Sequence, residues 1–195
     1  DLMAAAQTGT GKTAGFALPL LQLLTMEGPK VTANSARALI LVPTRELAEQ
    51  VHESVRQYAE NLPLRTYAVY GGVSINPQMM KLGGTEILIA TPGRLIDLMG
   101  RNSVSISRIQ TLVIDEADKV LQMGFREEIE HILEYVPKKK QTLMFSATMD
   151  TEVEDLIQKQ ENILDTFSNL QSSKSHLEHQ KKMAENLIIE LDKDY

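Results

Sequence analysis

Short apolar runs alternate along the chain with amphipathic stretches. Leu2-Met3-Ala4-Ala5-Ala6 is the first such run, and five more follow at 38–42, 66–70, 87–90, 112–114 and 142–145. Apolar runs of this length without polar alternation are the pattern of strands buried on both faces. Between them the apolar spacing lengthens to that of a helix. Residues 14–26 read as a helix with Pro19 inside it, which predicts a kink. In 45–62, Leu47, Val51, Val55 and Tyr58 share one face; 93–99 and 126–136 behave similarly, the latter with Ile129, Ile132 and Leu133 as a stripe. Asn76-Pro77 and Gly83-Gly84 mark loop boundaries. Met79, Met80, Met99, Met123 and Met144 are expected to fill gaps in the core, and Tyr67 and Tyr70 to pack on their strand. Strands alternating with helices predict an α/β fold: a parallel sheet with right-handed crossovers and helices on both faces.

Chemistry-bearing residues collect where these runs end. Ala6-Gln7-Thr8-Gly9-Thr10-Gly11-Lys12-Thr13 stands between the first strand and the first helix, with Ala6 where a phosphate loop usually has its first glycine. A turn of this kind points backbone N–H groups inward to cradle a phosphate chain at a helix N-terminus. Lys12 then reaches the β- and γ-phosphates, and the Thr13 hydroxyl ligates Mg²⁺. The strand at Val113-Ile114 runs into Asp115-Glu116-Ala117-Asp118. A carboxylate at a strand's carboxyl end is placed to hold Mg²⁺ from the side opposite Thr13, which gives that role to Asp115. Glu116 is placed to accept a proton from an attacking water.

Composition narrows the picture further. The chain has 195 residues, enough for one sizeable core, and no cysteine, so it has neither a disulfide framework nor a thiolate zinc site. No run of 18 or more apolar residues occurs, and Asp1-Leu2-Met3 has no basic n-region, so no signal peptide is visible. These features fit a soluble cytoplasmic protein with no membrane partner. The net charge of −6 is uneven: residues 1–150 carry 15 basic and 16 acidic side chains, and 151–195 carry 5 and 10. A chain without basic excess does not hold nucleic acid by bulk electrostatics, so any such contact is local, through loop amides, helix N-termini and a few arginines.

Taken together, the strand ends offer Gly9–Thr13, Pro43-Thr44-Arg45-Glu46, Gly71-Gly72, Thr91-Pro92-Gly93-Arg94, Asp115–Asp118 and Ser146-Ala147-Thr148. This series resembles the first RecA-like domain of the DEAD-box RNA helicases, and the wording of 6–13, 70–81 and 90–95 is closest to the bacterial RhlE-like branch. The resemblance runs from Asp1 to about residue 157. It implies a RecA-like P-loop NTPase domain that binds ATP and Mg²⁺. In it Thr8, Gly9, Thr10, Gly11, Lys12 and Thr13 hold the nucleotide, Thr13 and Asp115 the metal, and Lys12, Asp115 and Glu116 serve catalysis. It also implies that Asp118 bonds toward Ser146 and Thr148 and couples nucleotide state to RNA. Pro43, Thr44, Arg45, Gly71, Gly72, Thr91, Pro92, Gly93 and Arg94 would hold the backbone of one RNA strand without reading bases. The setting suits that role. Thr44 and Thr91 precede helical runs, the arginines supply charge, and the glycines admit a close backbone.

The family pattern also includes an adenine-selecting segment before the phosphate loop and a second RecA-like domain, neither of which lies in 1–195. This polypeptide alone is therefore expected to bind Mg-nucleotide weakly, hydrolyse little and not unwind RNA. Residues 158–195 depart from the pattern. They read as an acidic helical or partly disordered tail in which Leu156, Ile163, Leu170, Leu177, Ala184 and Leu191 fall seven apart. Weak self-association through that seam is an expectation. Two rival readings follow: a P-loop helicase acting on DNA, and a non-catalytic product that binds RNA or protein through its tail.

Overall fold

The computed structural model describes residues 1–5, 11–26, 34–148, 151–156 and 158. The loop residues Thr8, Gly9 and Thr10 and the tail beyond 158 lie outside the described residues. The chain divides into two units, 1–154 and 155–195, and the first carries the sheet.

That unit is an α/β domain of six parallel strands. In chain order they are β1 (Leu2–Ala5), β2 (Ala38–Leu41), β3 (Thr66–Val69), β4 (Ile87–Ala90), β5 (Thr111–Ile114) and β6 (Gln141–Ser146). The helices are α1 (Lys12–Met26), α2 (Arg45–Tyr58), α3 (Asn76–Lys81), α4 (Pro92–Gly100), α5 (Ala117–Gln122) and α6 (Arg126–Tyr135). The strand order across the sheet is β1-β6-β5-β2-β4-β3, and every pairing is parallel. All six expected strands are present, each end within one residue of its expected place.

Burial explains why the central strands read as unbroken apolar runs. Every residue of β2, β4 and β5 is buried. Alternate side chains serve opposite faces. Ala38, Ile40, Ile87, Ile89, Val113 and Phe145 form one core with Phe16, Leu20 and Leu24 of α1 and Ala48, Val51 and Val55 of α2. The intervening residues Leu39, Leu41, Leu88, Leu112 and Ile114 face the other way and are equally buried, and α4 and α6 pack on each other. Helices therefore cover both faces. The Phe16 and Phe145 rings, 5.5 Å apart, seat α1 beside β6 one turn after Lys12.

Several expectations need correction. Helix α2 ends at Tyr58 rather than 62, and Tyr58 is exposed at that last turn instead of joining the stripe. Met144 is buried, but Met80 and Met123 are largely exposed and fill no gap. The Asn76-Pro77 boundary opens a six-residue helix, because proline in the first turn needs no N–H partner. Helix α5 is equally short. Six residues span less than two turns, too few to reveal a period.

Candidate functional site

The carboxyl ends of parallel strands form one edge, and here that edge has two halves. On one side lie the ends of β1, β6 and β5; on the other, those of β2, β4 and β3. The sequence-expected nucleotide residues fall on the first half and the expected polymer contacts on the second.

Gly11 has φ +79°, a left-handed conformation suited to glycine, and Lys12 and Thr13 begin α1 directly after it. Strand β6 separates β1 from β5, so the two strand ends stand roughly 10 Å apart. Lys12 crosses that gap: its Nζ lies 3.2 Å from Asp115 Oδ1, and both side chains are almost fully buried. Asp115 Oδ1 also accepts the Glu116 N–H at 3.0 Å. Burial pushes the Asp115 carboxyl above its ordinary value; Lys12 pulls it back only in part. A site with that imbalance suits a further cation. One carboxylate and one hydroxyl, Asp115 and Thr13, is the oxygen donor set Mg²⁺ takes when phosphates complete its shell. Among the described residues no group of three or more His, Cys, Asp or Glu gathers as a separate metal site.

Glu116 follows in a left-handed conformation, φ +53°, which is costly for a non-glycine residue and turns its side chain out of line with the strand. Its Oε2 is held by Lys119 Nζ at 2.9 Å. Asp118, Ser146 and Thr148 form a closed set. The Asp118 N–H donates to Ser146 Oγ (3.3 Å), the Ser146 hydroxyl donates to the Thr148 carbonyl (2.6 Å), and the Thr148 hydroxyl donates to Asp118 Oδ2 (3.4 Å). Among the described residues, Asp118 Oδ1 is buried without a hydrogen-bond partner.

On the other half, Thr44 caps α2, its hydroxyl accepting the Leu47 N–H at 3.2 Å, and buried Pro43 precedes it. Arg45 is exposed and lies over the Tyr70 ring, 5.1 Å from its centroid, with Nε 3.2 Å from Glu49. The Tyr70 hydroxyl donates to Glu49 and is the main reason that carboxyl sits below its usual value. Gly71 and Gly72 are exposed, and Gly72 has φ +79°. Thr91 and Pro92 start α4 with Gly93 behind them. Arg94 differs from a surface contact: it is buried, and its Nη2 donates to the Val73 carbonyl at 2.7 Å. Its guanidinium supports the glycine loop from below.

Sequence reasoning missed Gln78, buried on α3, which bonds both backbone groups of Tyr70. It also missed Lys119 beside Glu116 and the part of Tyr70 outside strand packing. Only the place of Gln78 in a short helix after Gly71-Gly72 could have drawn attention to it. Two cavities of about 390 and 360 Å³, one lined by Met99, Ile106 and Tyr135 and the other by Arg56, Leu62 and Arg65, are lined by none of the strand-end residues above. Among the described residues no helix is long and apolar enough to cross a membrane.

Comparison with known proteins identifies the family and agrees with the fold. Residues 1–156 match the family model described as DEAD/DEAH box helicase. The RNA helicase CrhR of Synechocystis sp. is 43% identical over 183 residues, covering 92% of this chain and 36% of that protein. The ATP-dependent RNA helicase DBP2 of Mycosarcoma maydis is 47% identical over 157 residues, covering 80% of this chain and 28% of that one. The crystal structure of a DEAD box protein from Methanococcus jannaschii superposes with a TM-score of 0.73 at 39% identity, over 80% of this chain and 42% of that one. The chain thus spans about a third of the length of these curated relatives.

Proposed function

This chain belongs to the DEAD/DEAH box helicase family, and we propose that it acts as the ATP-binding, RNA-contacting domain of an ATP-dependent RNA helicase. The observation that carries the reading is the buried Lys12–Asp115 pair, which brings the end of the phosphate loop and the end of β5 within 3.2 Å across β6. ATP binding would draw Lys12 from Asp115 onto the β- and γ-phosphates. The N–H groups of 8–13 would surround the phosphate chain, and Thr13 and Asp115 would hold Mg²⁺. When bound, Mg²⁺ offsets the negative charge of the phosphates. Glu116 would accept a proton from a water as its oxygen bonds to the γ-phosphorus and the bond to ADP breaks, leaving ADP and inorganic phosphate.

RNA would lie along the second half of the edge. Thr44 and Thr91, each at a helix N-terminus, and Arg45 would meet phosphates. Gly71, Gly72 and Gly93 would admit the sugar-phosphate backbone, with Pro43, Pro92 and Arg94 shaping the surface beneath. None of these groups reads a base, so binding is sequence-independent. Asp118, Ser146 and Thr148 would link the two halves. A second RecA-like domain would supply the arginines that stabilise the transferring phosphoryl group, so 1–195 alone hydrolyses ATP slowly and does not unwind duplexes.

The deciding experiment is Mg²⁺-dependent binding of labelled ATP and ADP to this chain and to Lys12→Ala. Binding lost with Lys12 supports the reading. Equal binding, or none in either protein, overturns it and favours a non-catalytic role.

A further inference from the structure

We propose that Gln78 is a positioning residue for the RNA-facing half of the edge: it clamps Tyr70 and so sets both the Gly71-Gly72 loop and the shelf under Arg45. The proposal rests on the RNA reading above.

Strand β3 ends at Val69, so Tyr70 is the first residue beyond the ladder. Its N–H nevertheless donates to Gln78 Oε1 at 3.2 Å, and its carbonyl accepts from Gln78 Nε2 at 3.1 Å. One planar amide thus imitates a neighbouring strand, meeting a donor and an acceptor at once. Only Asn and Gln side chains offer both groups in one fixed plane. Gln78 is 5% exposed, so this arrangement is secluded from water and both its polar atoms are engaged. Pro77, in the first turn of α3, fixes where that helix begins.

A second clamp closes the loop from the far side, where Arg94, 8% exposed, donates to the Val73 carbonyl at 2.7 Å. Gly71 and Gly72 therefore hang between two buried side chains that hold Tyr70 and Val73. Glycines have the widest conformational freedom of any residue, so without such anchors this loop would lose the most entropy on meeting a ligand. The same clamp acts on Arg45. The Tyr70 ring lies under its guanidinium, 5.1 Å from the centroid, and Glu49 holds Arg45 Nε from the side. Both side-chain hydrogen bonds of Gln78 go to Tyr70, the residue on which Arg45 and the glycines depend.

The test uses the full chain with Gln78→Leu, and with the near-isosteric Gln78→Glu as a second variant should the first fold poorly. Glutamate keeps the shape but loses the donor to the Tyr70 carbonyl. Affinity for a short labelled oligouridine is measured beside Mg-ATP affinity, with amide hydrogen exchange over residues 70–74. Expected are RNA binding about tenfold weaker, unchanged Mg-ATP affinity, and faster exchange confined to 70–74. If RNA affinity is unchanged in both variants while Arg45→Ala weakens it, the proposal is overturned and the RNA reading survives. A joint loss of RNA and Mg-ATP affinity with faster exchange throughout means a purely structural role and also overturns it. A wild-type chain that binds no oligouridine overturns the RNA reading, and the proposal falls with it.

Discussion

Replacing Lys12 by Met would strand the Asp115 carboxylate, which is 2% exposed and, among the described residues, keeps the Glu116 N–H as its remaining donor. At an effective dielectric of about 20, unit charges 3.2 Å apart attract by roughly 5 kcal/mol. Desolvating two ions costs several kcal/mol each, so the intact pair is close to neutral for stability. Losing one partner is different: the uncompensated charge costs about 3–5 kcal/mol. Removing both charges, as Lys12→Met with Asp115→Asn, should cost no more than about 1 kcal/mol, and both variants should lose Mg-ATP binding. Urea unfolding of the full chain measures the comparison. The deficit of Lys12→Met also depends on pH. The folded-state carboxyl of Asp115 already sits above its ordinary 3.8, and loss of the lysine, which lowers it, raises it further. A raised carboxyl binds its proton more tightly when folded. Stability therefore returns as the pH falls through the folded-state value, and the recovery is complete below 3.8. A double variant as unstable as Lys12→Met, or a deficit that persists in acid, would refute the reasoning.

Ser146→Ala removes the acceptor of the buried Asp118 N–H and should destabilise the chain by about 1–3 kcal/mol in urea while Mg-ATP affinity is kept. At Gly72 a Cβ would meet no atom within 4 Å, so the cost of Gly72→Ala is the left-handed backbone alone, about 1–2 kcal/mol; unchanged stability would show that the loop adopts another conformation. Tyr70→Phe keeps the ring under Arg45 but drops the hydroxyl bond, so the Glu49 carboxyl should rise toward 4.5 in an NMR titration with RNA affinity unchanged. Because that carboxyl is depressed in the folded wild type, its stabilising effect is present above 4.5 and lost as the pH falls through the folded value. The variant should lack that window.

The sheet was legible because strands such as Ala38–Leu41 and Ile87–Ala90 are buried throughout and carry no polar residue. The half proposed to hold nucleotide stood out in the sequence because a phosphate loop needs glycine, lysine and threonine in a set order, which leaves a mark in one short segment. The polymer half was harder to read. Arg94 looks like a surface cation in sequence, yet it is buried against Val73, since a guanidinium near a helix start serves equally to hold a loop carbonyl. Gln78 left no periodic signal, because its work is two hydrogen bonds to a backbone eight residues away. Helices α3 and α5 were missed for lack of length, and Met80 was misplaced because methionine suits surface and core alike.

The two halves of the edge owe their relative placement to residues that belong to neither. Leu41 pairs with Ile114 and Ile114 with Met144, and the Asp115 N–H continues that ladder onto the Leu41 carbonyl at 2.9 Å. A slip of one residue would turn every buried side chain of a strand to its opposite face, so the core itself holds Asp115 in line with Pro43 and Thr44. The site residues take from that stability rather than adding to it. Glu116 is held left-handed, Asp118 Oδ1 is buried without a partner among the described residues, and burial holds the Asp115 carboxyl above its ordinary value. Strain concentrated where apolar burial is not at stake is the mark of a site selected for chemistry. The core variants and the site variants should accordingly separate: substitutions among Leu39, Ile40 and Leu88 lose the fold, whereas paired neutral substitutions at Lys12 and Asp115 lose the chemistry and keep it.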